Sequence, residues 1–164
     1  MKFALVFPGQ GSQSPGMMAA YADYAVVRET FAEASSALGR DLWQLVQEGP
    51  AEALNQTVNT QPLMLTAGIA VYRLWPQLGR PLPALVPGHS LSEYAALVAA
   101  HGQSLMDAVP LVELRDKAMQ EAVPQGQGAM AAILGLDVPS IEAACAEAVQ
   151  GEHSDEVVQA VNFN

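Results

Sequence analysis

Cysteine is almost absent: Cys145 stands alone among 164 residues. It can form no internal disulfide, and a reducing, cytoplasmic setting is expected. Cations are scarce too. Seven lysines and arginines face 17 aspartates and glutamates, a formal charge of −10, which argues against a nucleic-acid surface that must neutralise phosphates. No apolar run reaches the roughly 18 residues of a membrane helix, so no spanning segment is expected. The start has only Phe3 to Phe7 before Pro8, short of the ~7–15 apolar residues and cleavage site of a signal peptide. No group of Cys, His and carboxylates has metal-ligand spacing, and there are no internal repeats. What is abundant is apolar residues, 51% of the chain, enough for a packed globular core.

The order of elements points to an α/β fold. Phe3-Ala4-Leu5-Val6-Phe7 is a continuous apolar run closed by Pro8-Gly9, the mark of a strand buried on both faces. Residues 10–16 are too rich in turn formers to be anything but loop. Tyr24, Val27, Phe31, Ala34 and Leu38 recur at helical spacing up to Gly39, where a helix stops. A short turn covers 42–46. Thr60 is positioned to cap a helix with Pro62 in its first turn, apolar on nearly every side from Leu63 to Trp75 and ended by Pro76. Ala84-Leu85-Val86 reads as a second strand, followed by helices over 91–100 and from Ser104 to Val123. Strands alternating with helices favour a parallel sheet. Pro124, Gly126 and Gly128 mark a joint, giving a first domain over 1–124 and a smaller unit over 125–164 with a strand–helix–strand pattern.

The sharpest chemical feature is Gly88-His89-Ser90-Leu91-Ser92, between a short strand and a helix. A serine on so tight a turn projects its hydroxyl clear of the backbone, and the free N–H groups of the helix start can hold a developing oxyanion. The alternative is an ordinary N-cap serine. The loop around Gly9, Gln10 and Gly11 follows the first strand, where α/β sheets place their sites. It lacks dinucleotide-loop spacing, and is either a surface turn or a donor of a backbone N–H to the same oxyanion. Arg115 shares a helix face with Leu111 and Met119. A guanidinium in an apolar stripe must find an anion: an internal carboxylate, or a substrate carboxylate held in a bidentate clamp. His89 adjoins Ser90 on a turn that points neighbouring side chains apart, while His101 and His153 read as solvated, so no general base is evident. Cys145 reads as a small buried hydrophobe.

In series, these stretches resemble the malonyl-CoA:acyl carrier protein transacylases of bacterial fatty acid synthesis. The matching residues are Phe7-Pro8-Gly9-Gln10-Gly11-Ser12-Gln13, Thr60-Gln61-Pro62, Gly88-His89-Ser90-Leu91 with Glu93-Tyr94, Arg115 with Met119-Gln120, Gly128-Ala129-Met130, and Val161-Asn162-Phe163-Asn164. The resemblance runs through the whole chain and implies an N-terminal portion of such an enzyme. It implies an incomplete α/β-hydrolase-like large subdomain and the start of an inserted ferredoxin-like small one. Ser90 would be the nucleophile that carries malonyl from CoA to the phosphopantetheine thiol of acyl carrier protein, by a ping-pong route. Backbone N–H groups of Gln10 and Leu91 would form the oxyanion hole. Arg115 would pair with the malonyl carboxylate, and Gln61, Met119 and Asn162 would line its pocket. No cofactor and no metal is implied.

The resemblance also implies that the family's histidine base lies downstream of the stretch present here, so transfer by these 164 residues alone is expected to be impaired. Alternatives are a polyketide-synthase-type acyltransferase domain, a noncatalytic relative that binds malonyl groups or carrier protein, and a serine hydrolase using the same elbow. Arg115 argues against a generic hydrolase, which needs no buried cation. Ser92 stands where the family usually has glycine, Pro110 should kink its helix, and the loop near His153 is longer than usual. An unfinished sheet edge favours self-association. Both CoA and the carrier are anionic, so a local basic patch is needed, with Lys2, Arg28, Arg40, Arg73, Arg80 and Lys117 the candidates.

Overall fold

Val27, Phe31 and Ala34, one helical turn apart, are fully buried on α1 (Ala25–Leu38). Gly39 ends that helix in the left-handed region at φ 68°, its N–H donating to the Ser35 carbonyl. The computed structural model describes residues 2–123, 127–151 and 155–163. The expectations for Pro124, Gly126, the loop at His153 and Asn164 lie outside the described residues.

The chain falls into two compact units, Met1–Gln125 and Gly126–Asn164. In the first, α2 (Leu42–Glu48) starts at Asp41, whose side chain accepts from the Gln44 N–H, and a single turn, α3 (Ala51–Leu54), follows. The central element is α4 (Thr57–Gln77), against which α1, α5 (Leu91–Ala99) and α6 (Leu105–Ala122) all pack. As its apolar composition requires, Leu63, Met64, Leu65, Ile69, Ala70 and Leu74 are buried.

Two boundaries of α4 differ from the sequence reading. The helix begins at Thr57, three residues before Thr60, so Pro62 sits inside it and Pro76 does not end it. A proline has no N–H for the carbonyl four residues earlier. That carbonyl, Val58, is satisfied instead by Arg40 Nη2 at 2.9 Å. Thr60 is no cap; its hydroxyl donates to the carbonyls of Leu54 and Gln56. Arg40 also reaches Glu113 on α6, which Lys117 contacts in turn. One guanidinium thus ties α4 to the helix that carries Arg115. α6 continues through Pro110 without interruption and is capped by Ser104, whose hydroxyl accepts from the Asp107 N–H.

The expected strands are present as extended segments rather than as a sheet. Residues 3–7 and 84–86 meet in one parallel bridge, Ala4 with Leu85, through Leu5 N–H to Leu85 O at 3.0 Å and Ala84 N–H to Phe3 O at 2.9 Å. No longer strand is assigned among the described residues. A parallel pair is weak per residue and owes its usual stability to neighbours on both sides. The first segment is anchored at its end by Phe7, which is buried with its ring edge-on to Tyr72 at 6.0 Å. Gly68 makes room for that ring, since a Cβ there would lie 3.0 Å from Phe7 Cδ1.

In the second unit, α7 (Val138–Ala148) is capped by Asp137, which accepts from the Ser140 N–H, with Pro139 in the first turn. The flanking residues 129–134 and 157–163, expected as strands, carry no assigned strand or bridge among the described residues. Cys145 is half-buried rather than buried.

Candidate active site

Ser90 occupies the N-cap position of α5, and its backbone distinguishes the two readings of it. An ordinary N-cap is extended and accepts a bond from the first turn. Ser90 instead has φ 55° and ψ −118°, with no side-chain cap bond. This is a conformation that costs a non-glycine residue on the order of 1–3 kcal/mol and persists only where its surroundings impose it. The hydroxyl is therefore not spent on the helix; it is turned outward on an exposed residue.

The surroundings that impose the turn are local. A Cβ on Gly88 would lie 2.4 Å from both Glu93 Cα and Ser92 O, so only glycine lets the incoming strand cross the first turn of α5. Ser92 closes the turn from the other side. Its hydroxyl accepts from the His89 N–H at 2.8 Å and donates to the His89 carbonyl at 3.0 Å. A glycine at this position could make neither bond. The N–H groups of Ser92 and Glu93 turn back onto the carbonyls of His89 and Ser90. Among the described backbone bonds, the N–H groups of Leu91 and Gln10 make none. Gln10 lies in an exposed turn whose next residue, Gly11, has φ 99° and donates to the Gln13 side chain; that amide in turn donates to Asn55.

Arg115 reaches this serine. Its Nη2 donates to Ser90 Oγ at 2.9 Å and its Nη1 to Gln61 Oε1 at 2.7 Å. The Tyr94 ring lies 6.0 Å away, the outer limit of a cation–π contact. Among the described ion pairs none involves Arg115, although its charge acts on the neighbouring Asp116. The apolar stripe is corrected as well: Leu111 and Met119 are 40% and 49% exposed, and Arg115 is half-buried, at the rim of the core rather than within it. Gln61, from α4, is buried; its Nε2 donates to Asp116 Oδ1 at 2.9 Å and lies 3.9 Å from Met119 Sδ.

The structure thus brings together Ser90, Arg115, Gln61 and Met119. The backbone N–H groups of Leu91, at the start of α5, and of Gln10, in its turn, make no bond among the described residues, and Asn162 belongs to the second unit. His89 and His101 make no described contact with Ser90. The member that sequence reasoning missed is Asp116. It is fully buried, and its Oδ2 has no partner among the described residues. Burial pushes its carboxyl up to about 6, against the opposing pull of Arg115 and the Gln61 hydrogen bond. Its position directly after Arg115 was the only available signal. Beside it opens a cleft of about 510 Å³ lined by Glu52, Asn55, Gln56, Asp116, Lys117 and Gln120. No group of three metal-ligating side chains occurs among the described residues, and no described helix is long and apolar enough to cross a membrane.

The cation inventory narrows. Arg40 and Lys117 are both paired with Glu113, and Arg73 with Glu33. Arg28 lies over the Trp43 ring. Lys2 and Arg80 are exposed and carry no described ion pair.

Residues 4–163 match the acyl transferase domain family. The malonyl CoA-acyl carrier protein transacylase of Escherichia coli K12 is 60% identical over 164 residues, covering 99% of this chain and 52% of the relative. The crystal structure of an acyl-carrier-protein S-malonyltransferase from Burkholderia pseudomallei superposes with a TM-score of 0.93 at 60% identity, over all of this chain and 52% of the other. A malonyl-transacylase solved in complex with a type II PKS acyl-carrier protein has a TM-score of 0.87 at 55% identity, over 92% of this chain and 49% of the other. The chain spans about half the length of the curated relatives it matches.

Proposed function

The chain belongs to the acyl transferase family, and on that premise we propose that it carries the nucleophile and the carboxylate clamp of a malonyl-CoA:acyl carrier protein transacylase. The observation that supports this best is the 2.9 Å contact between Ser90 Oγ and Arg115 Nη2. It supports a reading in which a serine hydroxyl and a guanidinium with no ion pair among the described residues serve the two ends of one small acyl group.

The chemistry follows from what each group can donate. A guanidinium only donates, so in its contact with Arg115 the serine oxygen accepts and its own proton stays free for a base. The malonyl carboxylate takes over the Arg115 donors, releasing Ser90 Oγ to attack the thioester carbon. The carbonyl oxygen gains negative charge, held by the N–H groups of Leu91 and Gln10. The C–S bond then breaks, the CoA sulfur leaves as thiol with the serine proton, and a malonyl-serine ester remains. The phosphopantetheine thiol of the carrier protein attacks that ester, and the serine recovers its proton. The base is assigned to the family histidine downstream of the stretch this chain spans, so the present residues bind and orient malonyl-CoA but transfer it poorly alone. Met119 lines the acyl pocket, and no cofactor takes part.

The finer architecture belongs to the same reading. The first unit is the large, α/β-hydrolase-like subdomain of a cytoplasmic enzyme, and the second opens a ferredoxin-like one. The carrier is that of fatty acid synthesis; the PKS complex among the structural relatives makes a polyketide carrier the second reading.

Equilibrium binding needs no base, and it tests the clamp directly. Malonyl-CoA is expected to bind more tightly than acetyl-CoA. Arg115→Ala should weaken malonyl-CoA binding by roughly 10- to 100-fold, the worth of hydrogen bonds to a charged group, and acetyl-CoA binding far less. Equal losses for the two ligands would remove Arg115 from the carboxylate role.

A further inference from the structure

We propose that Asp116 is a positioning residue for the carboxylate clamp: it fixes which end of the Gln61 amide faces Arg115. The inference rests on the function proposed above, which gives Arg115 its ligand.

A primary amide has an accepting end and a donating end, and reversing it exchanges them. Gln61 is 1% exposed, so water cannot satisfy a misplaced end. On one side stands Arg115, all donors, taking Gln61 Oε1 at 2.7 Å. On the other stands Asp116, whose carboxylate only accepts, receiving Gln61 Nε2 at 2.9 Å. Adjacent residues on a helix point about 100° apart, and the amide from α4 bridges the gap between them. Reversed, its NH2 would meet the guanidinium and its oxygen the carboxylate, two repulsive contacts in a buried place. Without Asp116 the donating end of the amide would keep only the weak sulfur contact with Met119 at 3.9 Å, and Arg115 would hold the other end.

The orientation matters to Arg115. Gln61 occupies Nη1 as a neutral acceptor, which steers the guanidinium without cancelling its charge. Nη2 is left pointing at Ser90, where the substrate carboxylate arrives. Asp116 is also held at a cost, because its Oδ2 is buried with no partner among the described residues. Such a cost is easier to understand for a side chain that sets a binding geometry than for one that merely fills space.

The test compares malonyl-CoA and acetyl-CoA affinities for the unsubstituted chain, Asp116→Asn, Asp116→Ala and Arg115→Ala, with 15N spectra of the Gln61 side-chain NH2. Asp116→Ala is expected to weaken malonyl-CoA binding roughly three- to tenfold, the size of one hydrogen bond, and to leave acetyl-CoA binding unchanged. Asp116→Asn, whose amide oxygen still accepts from Gln61, should restore most of the loss and keep the NH2 signals in one protected environment. In Asp116→Ala those signals should exchange with solvent. Asp116→Leu, nearly isosteric and without an acceptor, serves the same comparison if the alanine variant does not fold. An alanine variant with unchanged malonyl-CoA affinity, a loss shared equally by both ligands, or an asparagine variant as impaired as alanine overturns the inference. If Arg115→Ala weakens binding and Asp116→Ala does not, only this inference falls. If Arg115→Ala has no effect, the proposed function falls and this goes with it.

Discussion

Gly88→Ala tests whether the unusual backbone of Ser90 is imposed by contact rather than by preference. The added Cβ would lie 2.4 Å from Glu93 Cα, 2.4 Å from Ser92 O and 2.5 Å from Glu93 N, against 3.4–4 Å for ordinary contact. All three atoms are backbone of the first turn of α5, so no side-chain rotation relieves the clash. Either the helix start moves away or the turn opens, and in both cases Ser90 leaves its φ of 55°. Overpacking of this kind costs about 1–3 kcal/mol, and a loss of about 2 kcal/mol lowers the melting temperature by roughly 4–8 °C in chains of this size. Thermal unfolding followed by circular dichroism is the assay. Gly9→Ala supplies the control, because a Cβ at Gly9 meets nothing within 4 Å and its φ is ordinary. The control should melt with the unsubstituted chain. If Gly88→Ala melted with it too, the claim that crossing backbones set the turn would be refuted.

Three further outcomes are expected. Ser92→Ala deletes both hydroxyl bonds to His89 and should cost about 1–2 kcal/mol in urea unfolding; a variant as stable as its parent would show that the hydroxyl does not hold the turn. Asp116 titrates near 6 in the folded chain against an ordinary 3.8, so between those values the folded state binds the extra proton and stability falls as pH rises, by at most about 3 kcal/mol. Arg115 and the cleft residues Glu52, Lys117 and Glu121 face the same region. Asp116→Asn should therefore flatten the decline measured between about pH 4 and pH 6, and an unchanged slope would assign it to other groups. Finally, Val6 and Leu85 are 71% and 69% exposed at the lone bridge, and Met130, Leu134 and Val157 are 79–90% exposed in the second unit. Apolar surface of this kind drives association, so sedimentation velocity should show concentration-dependent self-association, and a monomer at every concentration would contradict it.

What could be read from the sequence depended on how far apart the interacting residues are. The elbow was legible because Gly88, Ser90 and Ser92 act on one another within five positions, and a glycine before a serine at a helix start has few physical meanings. Even so, the sequence left an N-cap open, and only φ and the missing cap bond exclude it. Helix starts set by Asp41, Ser104 and Asp137 are of the same local kind, each side chain accepting from an N–H three residues on. The α4 boundary failed for a nonlocal reason. Pro62 reads as a first-turn residue because a proline inside a helix strands a carbonyl, and nothing near it in sequence shows that Arg40, 18 residues before Val58, supplies the donor to the Val58 carbonyl.

The clamp extends that logic. Arg115 was noticed as a cation in need of an anion, yet its partners are a serine 25 and a glutamine 54 residues away. Neither is charged, and this is what keeps the guanidinium available. Had an acidic residue been placed to neutralise it fully, the arginine would be stable and useless for holding a second carboxylate. Asp116 comes close to that role, since its charge is felt by Arg115, but its hydrogen bond goes to Gln61 and its burial raises the cost of ionising it. A carboxylate adjacent in sequence thus orients the clamp through an amide instead of filling it. Under the proposed function, the carboxylate on the outer guanidinium nitrogen is the substrate's, and Ser90 holds that position until it arrives.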